Sequence, residues 1–546
     1  MLELIYNNDL VTLDGSYEQS IMQLISETCS YFVPTADWME KYQSGVWNGK
    51  ISLFNKKTRS FPSGLLSIIK DTLDEAGIEF SVKDVRKKPT VTKQAVVDLG
   101  EFQFRDYQDL SIDSLEKHQR GILALCTGAG KTKSSCGIIS RLSVYPVIFV
   151  VPSVSLLKQT IEEFKTSLKP LSKDFFIGEI GGGVCNIAPN GVNVATYQTL
   201  LTAYDKKYSE SKHKILDLND KNSLTSLLNQ KKLLNVDLEN SEPDKLKAIN
   251  KKIKEVDKKI SDKEKQKENK AEIRKLINDC QLLIIDEAHI AVVVIEYLSK
   301  MSVNSFYRCS LSATPRRTDN QDLRMYGVTG PVISKVTSSD LIKRGYLVKP
   351  YIYFVDMEFL DKTSVTYQET YKNAIVLSEQ RNALIRDFAI SMKESGRPTL
   401  ILVDRLDHGN NLEEIIPDSL FVPGKDGVDD SPISDEEINY RKRQLNRLEN
   451  NEIIMIATQW ANQGIDAPKI SALVIGGSVS SPITIIQQIG RGLRNADGKK
   501  DCVVLDFKMK EKSLRNHSNL RIKTLKEEPE FEIKVIKYKK DIGFYV

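Results

Sequence analysis

The chain has 546 residues, 40% hydrophobic and 28% charged, enough for about three domains with cores of their own. Its 78 basic and 73 acidic residues leave a formal charge of +5, too small to demand a polyanionic partner yet compatible with local basic grooves. Seven scattered cysteines form no C-x-x-C pair, which argues against a disulfide framework or a zinc site and for a reducing cytoplasm. Met1-Leu2-Glu3 starts without a basic, apolar leader, and no apolar run approaches the ~20 residues that span a bilayer, so no membrane association is expected.

Residues 1–95 read as a small α+β module. Ile51 to Phe54 alternates like a strand, Leu65 to Ala76 has helical spacing, and Asn48-Gly49 marks a tight turn. Tyr31, Phe32, Trp38, Tyr42 and Trp47 are interleaved with Lys41, Lys50, Lys56, Lys57 and Arg59. The mixture suits either a phosphate-gripping, base-stacking surface or core aromatics under a solvated basic face. Lys83, Arg86, Lys87, Lys88 and Pro89 read as a linker.

From about 100 to 340, short runs rich in branched residues alternate with helical segments: Val147–Val151, Val192–Ala195 and Leu282–Ile285. Such runs fit a parallel sheet covered on both faces. The apolar segment Gly121–Leu125 leads into Thr127-Gly128-Ala129-Gly130-Lys131-Thr132 and then a helix. Gly128 and Gly130 let backbone N–H groups surround phosphates at a helix N-terminus. Lys131 is placed for the β- and γ-phosphates and the Thr132 hydroxyl for Mg²⁺, although Leu125 stands where the strict pattern has its first glycine. Asp286-Glu287-Ala288-His289 follows an apolar strand. Asp286 is the candidate for the metal through its water shell, Glu287 for the attacking water, and His289 for coupling domains. Ser310 to Pro315, with Ser312 and Thr314, closes another apolar segment.

Between about 205 and 277 lysine and glutamate take over, and Leu246, Ile249, Ile253, Val256 and Ile260 keep a 3-4-3-4 spacing. With Leu224, Leu227, Leu234 and Leu238 on a preceding arm, the segment predicts a protruding helical hairpin, either a solvated spacer or a nucleic-acid or partner contact.

From about 345 to 546 the alternation resumes through Thr399–Val403, Ile453–Ala457, Ala472–Ile475 and Cys502–Leu505, with Phe531–Val535 as a late edge strand. This half has no phosphate loop. Gln487-Gln488-Ile489-Gly490-Arg491-Gly492-Leu493-Arg494 puts Arg491 and Arg494 one helical turn apart, able to reach a γ-phosphate across a cleft.

Taken in order, Thr127–Thr132, Asp286–His289, Ser312-Ala313-Thr314 and Gln487 to Arg494 resemble the motif set of superfamily 2 helicases. Arg105-Asp106-Tyr107-Gln108 resembles the adenine-reading segment, where the Gln amide has adenine-pairing geometry. Pro152 in Val151-Pro152 and Thr196 in Thr196-Tyr197-Gln198 resemble strand-holding positions, as does Arg405 in the second half. Ala457-Thr458 with Gly464-Ile465-Asp466-Ala467-Pro468 resembles the second domain's holding and coupling motif. The glycine replaced by Leu125 is commonly absent in this superfamily. Gly45 to Ile51, then Phe61-Pro62-x-Gly64-Leu65, and Gly181-Gly182-Gly183 are similar to the phage UvsW-like branch-migration helicases; where that family has Asp, this chain has Asn48, and the long hairpin is a departure.

The resemblance implies two RecA-like parallel-sheet domains, a small N-terminal α+β DNA-binding domain and a helical-hairpin insertion, with ATP and Mg²⁺ between the sheets. Trp47, Lys50, Pro152, Thr196, Arg405 and Thr458 would face DNA. The implied activity is ATP-driven unwinding or branch migration of forks, Holliday junctions and single strands in replication, recombination or repair, alongside proteins of those processes, in a host cytoplasm if phage-encoded. A restriction motor, an RNA helicase and a nucleotide-switched junction clamp share these motifs.

Overall fold

The computed structural model describes residues 1–33, 36–89, 97–100, 102–209, 214–218, 224–239, 243–290, 292–313, 322–357, 364, 366–424, 435–458 and 467–537. The N-terminal module is a four-stranded sheet of β1 (Leu2–Tyr6), β2 (Leu10–Gly15), β3 (Ser60–Pro62) and β4 (Phe80–Asp84), in the order β3-β2-β1-β4. Helices α1 (Gln19–Thr28) and α2 (Leu66–Glu75) cover it, burying Leu2, Leu4, Val11, Leu13, Ile25, Phe61, Ile69 and Leu73. The strand expected over Ile51–Phe54 is displaced: Lys50–Ser52 pairs antiparallel with Ser30–Phe32, its three residues all exposed, while Phe54 leaves the ladder and enters the core.

This module is bolted to the next domain. Gly64 sits so close to α8 (Asp322–Thr329) and the turn after it that an added Cβ would lie 2.1 Å from the Tyr326 carbonyl oxygen and 2.7 Å from the Gly330 nitrogen. Arg120, buried, donates to the Asn8 carbonyl at 3.1 Å, to Ser63 Oγ at 2.6 Å and to the Phe306 carbonyl at 3.3 Å. Arg86 corrects the linker reading. Its guanidinium lies 4.2 Å over Tyr6 and 4.4 Å over Phe306, and bonds Asp84 and Gln119 at 2.7 Å each.

The first large sheet has eight strands: β5 (Arg120–Leu125), β6 (Val147–Val151), β7 (Ile177–Gly181), β8 (Val184–Asn186), β9 (Val192–Thr196), β10 (Leu282–Ile285), β11 (Tyr307–Ser312) and β12 (Val332–Val336). Their order is β8-β7-β9-β6-β10-β11-β5-β12, parallel except for the β7–β8 hairpin. Every residue of β5, β6, β9 and β10 is buried; β6 and β10 are apolar throughout, while in β9 the buried Asn193 is satisfied by donating to the Ala188 and Val147 carbonyls. Helices α3 (Asp106–His118) and α4 (Lys131–Leu142) flank the phosphate loop.

The insertion leaves after α5 (Tyr197–Thr202). A β-hairpin absent from the sequence reading, Lys206–Ser209 with Lys214–Asp217, comes first. Then α6 (Leu224–Glu239) and the 37-residue α7 (Pro243–Asp279) pack together along Leu227, Val256 and Ile260, the expected seam.

The second large sheet has seven strands, all parallel: β13 (Lys349–Asp356), β14 (Thr399–Leu402), β15 (Ser419–Val422), β16 (Ile454–Ala457), β17 (Ala472–Ile475), β18 (Asp501–Lys508) and β19 (Glu532–Lys537). Their order is β15-β16-β14-β17-β18-β13-β19, so the late strand does form an edge. After β17, α9 (Pro482–Gly492) starts with the Ser481 hydroxyl accepting from the Thr484 N–H and Pro482 in its first turn.

Candidate nucleotide cleft and nucleic-acid track

Parallel sheets expose loops at the carboxyl ends of their strands, and there the candidates gather. After β5, Gly128 (φ +85°) and Gly130 (φ +78°) adopt the left-handed backbone that turns the loop into α4. Lys131 leaves the loop and pairs with Glu287 at 2.5 Å. Burial opposes the Lys131 charge, but the Glu287 and Asp286 carboxylates together raise its pKa above the ordinary value. Burial likewise opposes ionisation of Glu287; Lys131 and then His289 outweigh it and hold that carboxyl below its usual range. Asp286, one residue nearer the strand, is pushed up by burial to about 6 and accepts the Glu287 N–H at 2.9 Å.

Glu287 is also the point where the domains meet. Gln487, on α9, donates from Nε2 to Glu287 Oε2 at 3.3 Å. The same oxygen lies 3.5 Å from His289 Nδ1, which is 3.1 Å from the buried Ser312 Oγ at the end of β11. His289 and Ser312 are thus linked to both the carboxylate and, through it, the second domain. Thr314 lies outside the described residues, as do Gly464 and Asp466.

The second domain approaches the phosphate loop closely. A Cβ on Gly490 would lie 2.6 Å from Thr127 Cβ, and one on Gly128 would lie 2.9 Å from Leu347 Cδ2 and 3.6 Å from Arg494 Cγ. Burial and the neighbouring Arg494 push Arg491 down to about 9, with Glu287 pulling the other way. An anionic phosphate would relieve that penalty.

Gln108, the adenine-reading candidate, lies beside the phosphate loop. Its amide Nε2 donates to the Ala129 carbonyl at 3.0 Å and its Oε1 accepts the Arg105 N–H at 3.0 Å. It braces the loop beside Gly130. Arg105 stacks 4.4 Å over Tyr346, which also meets Tyr107 edge-on at 5.6 Å, and Arg344 pairs with Asp106 at 2.7 Å. The segment between the sheets, Arg344–Val348, therefore touches the start of α3, the phosphate loop and the end of α9, where Val348 N–H bonds the Leu493 carbonyl at 2.9 Å. Sequence reasoning missed this segment because nothing local marks Tyr346 or Leu347. It also missed Lys499, which donates to the Pro468 and Arg494 carbonyls at 2.8 and 2.9 Å.

The residues of the cleft can be tested against ATP and Mg²⁺ by their chemistry. Two turned glycines, a half-buried lysine, two arginines, the Thr132 hydroxyl and the Asp286 carboxylate supply anion-binding groups and hard oxygen donors of the type Mg²⁺ takes. The residues fit.

The strand-holding candidates sit at neighbouring strand ends. Pro152 follows β6, Thr196 ends β9 and caps α5, and Thr196 lies against Gly181 at the end of β7. In the second sheet, Arg405 follows β14 with its guanidinium 4.4 Å over Tyr371 and a bond to Gln368. Thr458 follows β16, its hydroxyl accepting the Gly424 N–H at 2.7 Å. In the N-terminal module, Lys50 is exposed, but Trp47 is half-buried and donates its indole N–H to the Lys50 carbonyl at 2.7 Å. Trp47 braces the loop; the open aromatic is Trp38, 86% exposed.

Residues 101–317 match the family model described as "Type III restriction enzyme, res subunit", and residues 431–496 match the helicase conserved C-terminal domain. The chain resembles the UvsW-like helicases of superfamily 2. It is 27% identical over 257 residues to "Putative helicase 22" of a Sulfolobus islandicus filamentous virus (isolate Iceland/Hveragerdi), covering 44% of each chain. It is 24% identical over 233 residues to "ATP-dependent DNA helicase uvsW" of Enterobacteria phage T4, covering 41% of this chain and 44% of that one. The chain thus spans less than half the length of these curated relatives. Superposition on the crystal structure of T4 UvsW covers 99% of both chains at 19% identity, with a TM-score of 0.41. Among the described residues no helix is long and apolar enough to cross a membrane.

Proposed function

We propose that this chain is an ATP-driven DNA helicase or translocase acting on forks and Holliday junctions, in recombination, repair or replication and alongside proteins of those processes, in a host cytoplasm if phage-encoded. The observation that carries the reading is the contact of Glu287 with Lys131 on one side and Gln487 on the other. The ATP phosphates compete with Glu287 for Lys131. Once Lys131 turns to them, Glu287 is free to accept a proton from water. That water's oxygen attacks the γ-phosphorus, the bond to the ADP oxygen breaks, and Arg491 and Arg494 offset the charge on the transferring group. Mg²⁺, held by Thr132 and Asp286, would supply further neutralisation of the phosphates. Glu287 touches both the phosphate loop and α9, so a change of nucleotide at Lys131 is passed to the second domain. Alternate closure moves Thr196 and Thr458 along one strand's backbone.

DNA rather than RNA is supported by the relative named as a DNA helicase; the basic and aromatic residues of the N-terminal module we assign to junction selection, with the exposed Trp38 as its stacking residue. The test compares ATPase and strand separation on matched DNA and RNA forks, duplexes and Holliday junctions, for the parent, Lys131→Ala and Glu287→Gln. Lys131→Ala should lose stimulated ATPase, and Glu287→Gln should stay DNA-bound with ATP but hardly hydrolyse it. RNA-selective stimulation would overturn the assignment. A second reading, the motor of a restriction system, is favoured by the match over residues 101–317; it predicts translocation without strand separation.

A further inference from the structure

The α6–α7 arm is the feature that the proposed motor does not use, and its charge is organised. Helix α7 carries 13 Lys and Arg against 8 Asp and Glu, a balance of +5 that equals the formal charge of the entire chain. At ~100° per residue, Lys247, Lys251, Lys254, Lys258 and Lys265 fall within a sector about 60° wide, roughly opposite the Ile253–Val256–Ile260 seam. Glu255, Asp257, Asp262 and Glu264 fall outside that sector. All five lysines are exposed, and among the described residues none of them is in an ion pair. At 1.5 Å per residue the row runs about 27 Å, a span over which duplex DNA presents one phosphate charge per ~1.7 Å of axis.

The orientation of this face is fixed. The apolar seam and the Lys231–Asp257 pair (2.6 Å) lock α7 against α6. At the base, Ile273, Leu276 and Ile277 share a core with Leu200 and Leu201 of α5, Arg274 donates to the Ala203 carbonyl at 2.9 Å, and Lys270 pairs with Asp205 at 2.6 Å. Helix α5 is the helix capped by Thr196, so the arm is rooted on the element that bears a strand-holding candidate.

We infer that the outer face of α7 binds the sugar-phosphate backbone of duplex DNA, holding the double-stranded part of a substrate while the cleft works on one strand. The inference rests on the DNA reading above. Its test is duplex binding by the full chain between 50 and 200 mM salt, parent against a variant with all five lysines changed to Gln, a substitution that keeps helix propensity. The slope of log affinity on log salt should fall by about 0.9 for each phosphate no longer neutralised, about 3–5 in all. ATPase stimulated by single-stranded DNA should stay at the parent level, and the five-fold Lys→Arg variant should restore the slope. An unchanged slope overturns the inference, as does an equal loss per lysine from Lys252→Gln with Lys259→Gln, which lie on another side of the helix. Should the Gln variant lose helicity, Lys254→Glu with Lys258→Glu provides the same readout. Failure of the motor reading shows differently, as a parent protein whose ATPase no DNA stimulates.

Discussion

Gly490→Ala isolates the contact between α9 and the phosphate loop. The new methyl carbon would lie 2.6 Å from Thr127 Cβ, 3.1 Å from its Cγ2 and 3.1 Å from its Oγ1. The nearest of these is a Cβ on a loop fixed by its own turned glycines, so neither side can yield by a side-chain rotation alone. Overpacking of this kind costs about 1–3 kcal/mol. Alanine meanwhile favours the helix over glycine by up to ~1 kcal/mol, but it does so with the cleft open or closed and leaves closure unaffected. The net effect falls on the closed state, whose population should drop about 5- to 150-fold, at 1.4 kcal/mol per factor of ten. Nucleic-acid-stimulated ATPase should fall by that order, while the melting temperature is unchanged or slightly raised. ATPase within twofold of the parent, in a protein that melts normally, would refute the argument that α9 closes on Thr127.

Gly64→Ala should loosen residues 1–89 from the motor, because its Cβ would lie 2.1 Å from the Tyr326 carbonyl oxygen; faster proteolysis at the module boundary, with single-strand ATPase retained, is the expected pair of readings. Trp38→Ala should weaken junction binding by about 1–3 kcal/mol without changing the melting temperature, as loss of a stacking platform does, whereas Trp47→Ala should destabilise the module by removing its bond to Lys50. Lys499 has its pKa pushed down by burial from 10.5 to about 8, so its contribution to stability is complete above pH 10.5 and is lost as pH falls through 8. Lys499→Met should therefore flatten the rise in stability between pH 8 and 10.5, measured by denaturant titration; an undiminished rise would assign it to another group.

Local chemistry made much of this protein legible from its sequence. Parallel strands buried on both faces are rich in apolar, branched residues, so β6, β9, β10, β14, β16 and β17 stood out by composition even though β9 carries the buried, hydrogen-bonded Asn193. Phosphate binding needs glycines immediately before a lysine at a helix start, and the seam of α6 and α7 needs a 3-4 apolar spacing; both are patterns within a few residues. Tertiary structure alone decided which groups are spent and which stay open. Nothing local to Trp47 or Trp38 tells them apart as brace and open ring, yet the fold turns one indole N–H onto a carbonyl and leaves the other ring in solvent. Arg86 looked like part of a basic linker until Tyr6 and Phe306, far apart in the chain, were brought to its two faces. Gln108, Tyr346 and Gly490 take their parts from residues tens to hundreds of positions away. Such contacts are set by how sheets and helices pack against one another, and no local pattern encodes them.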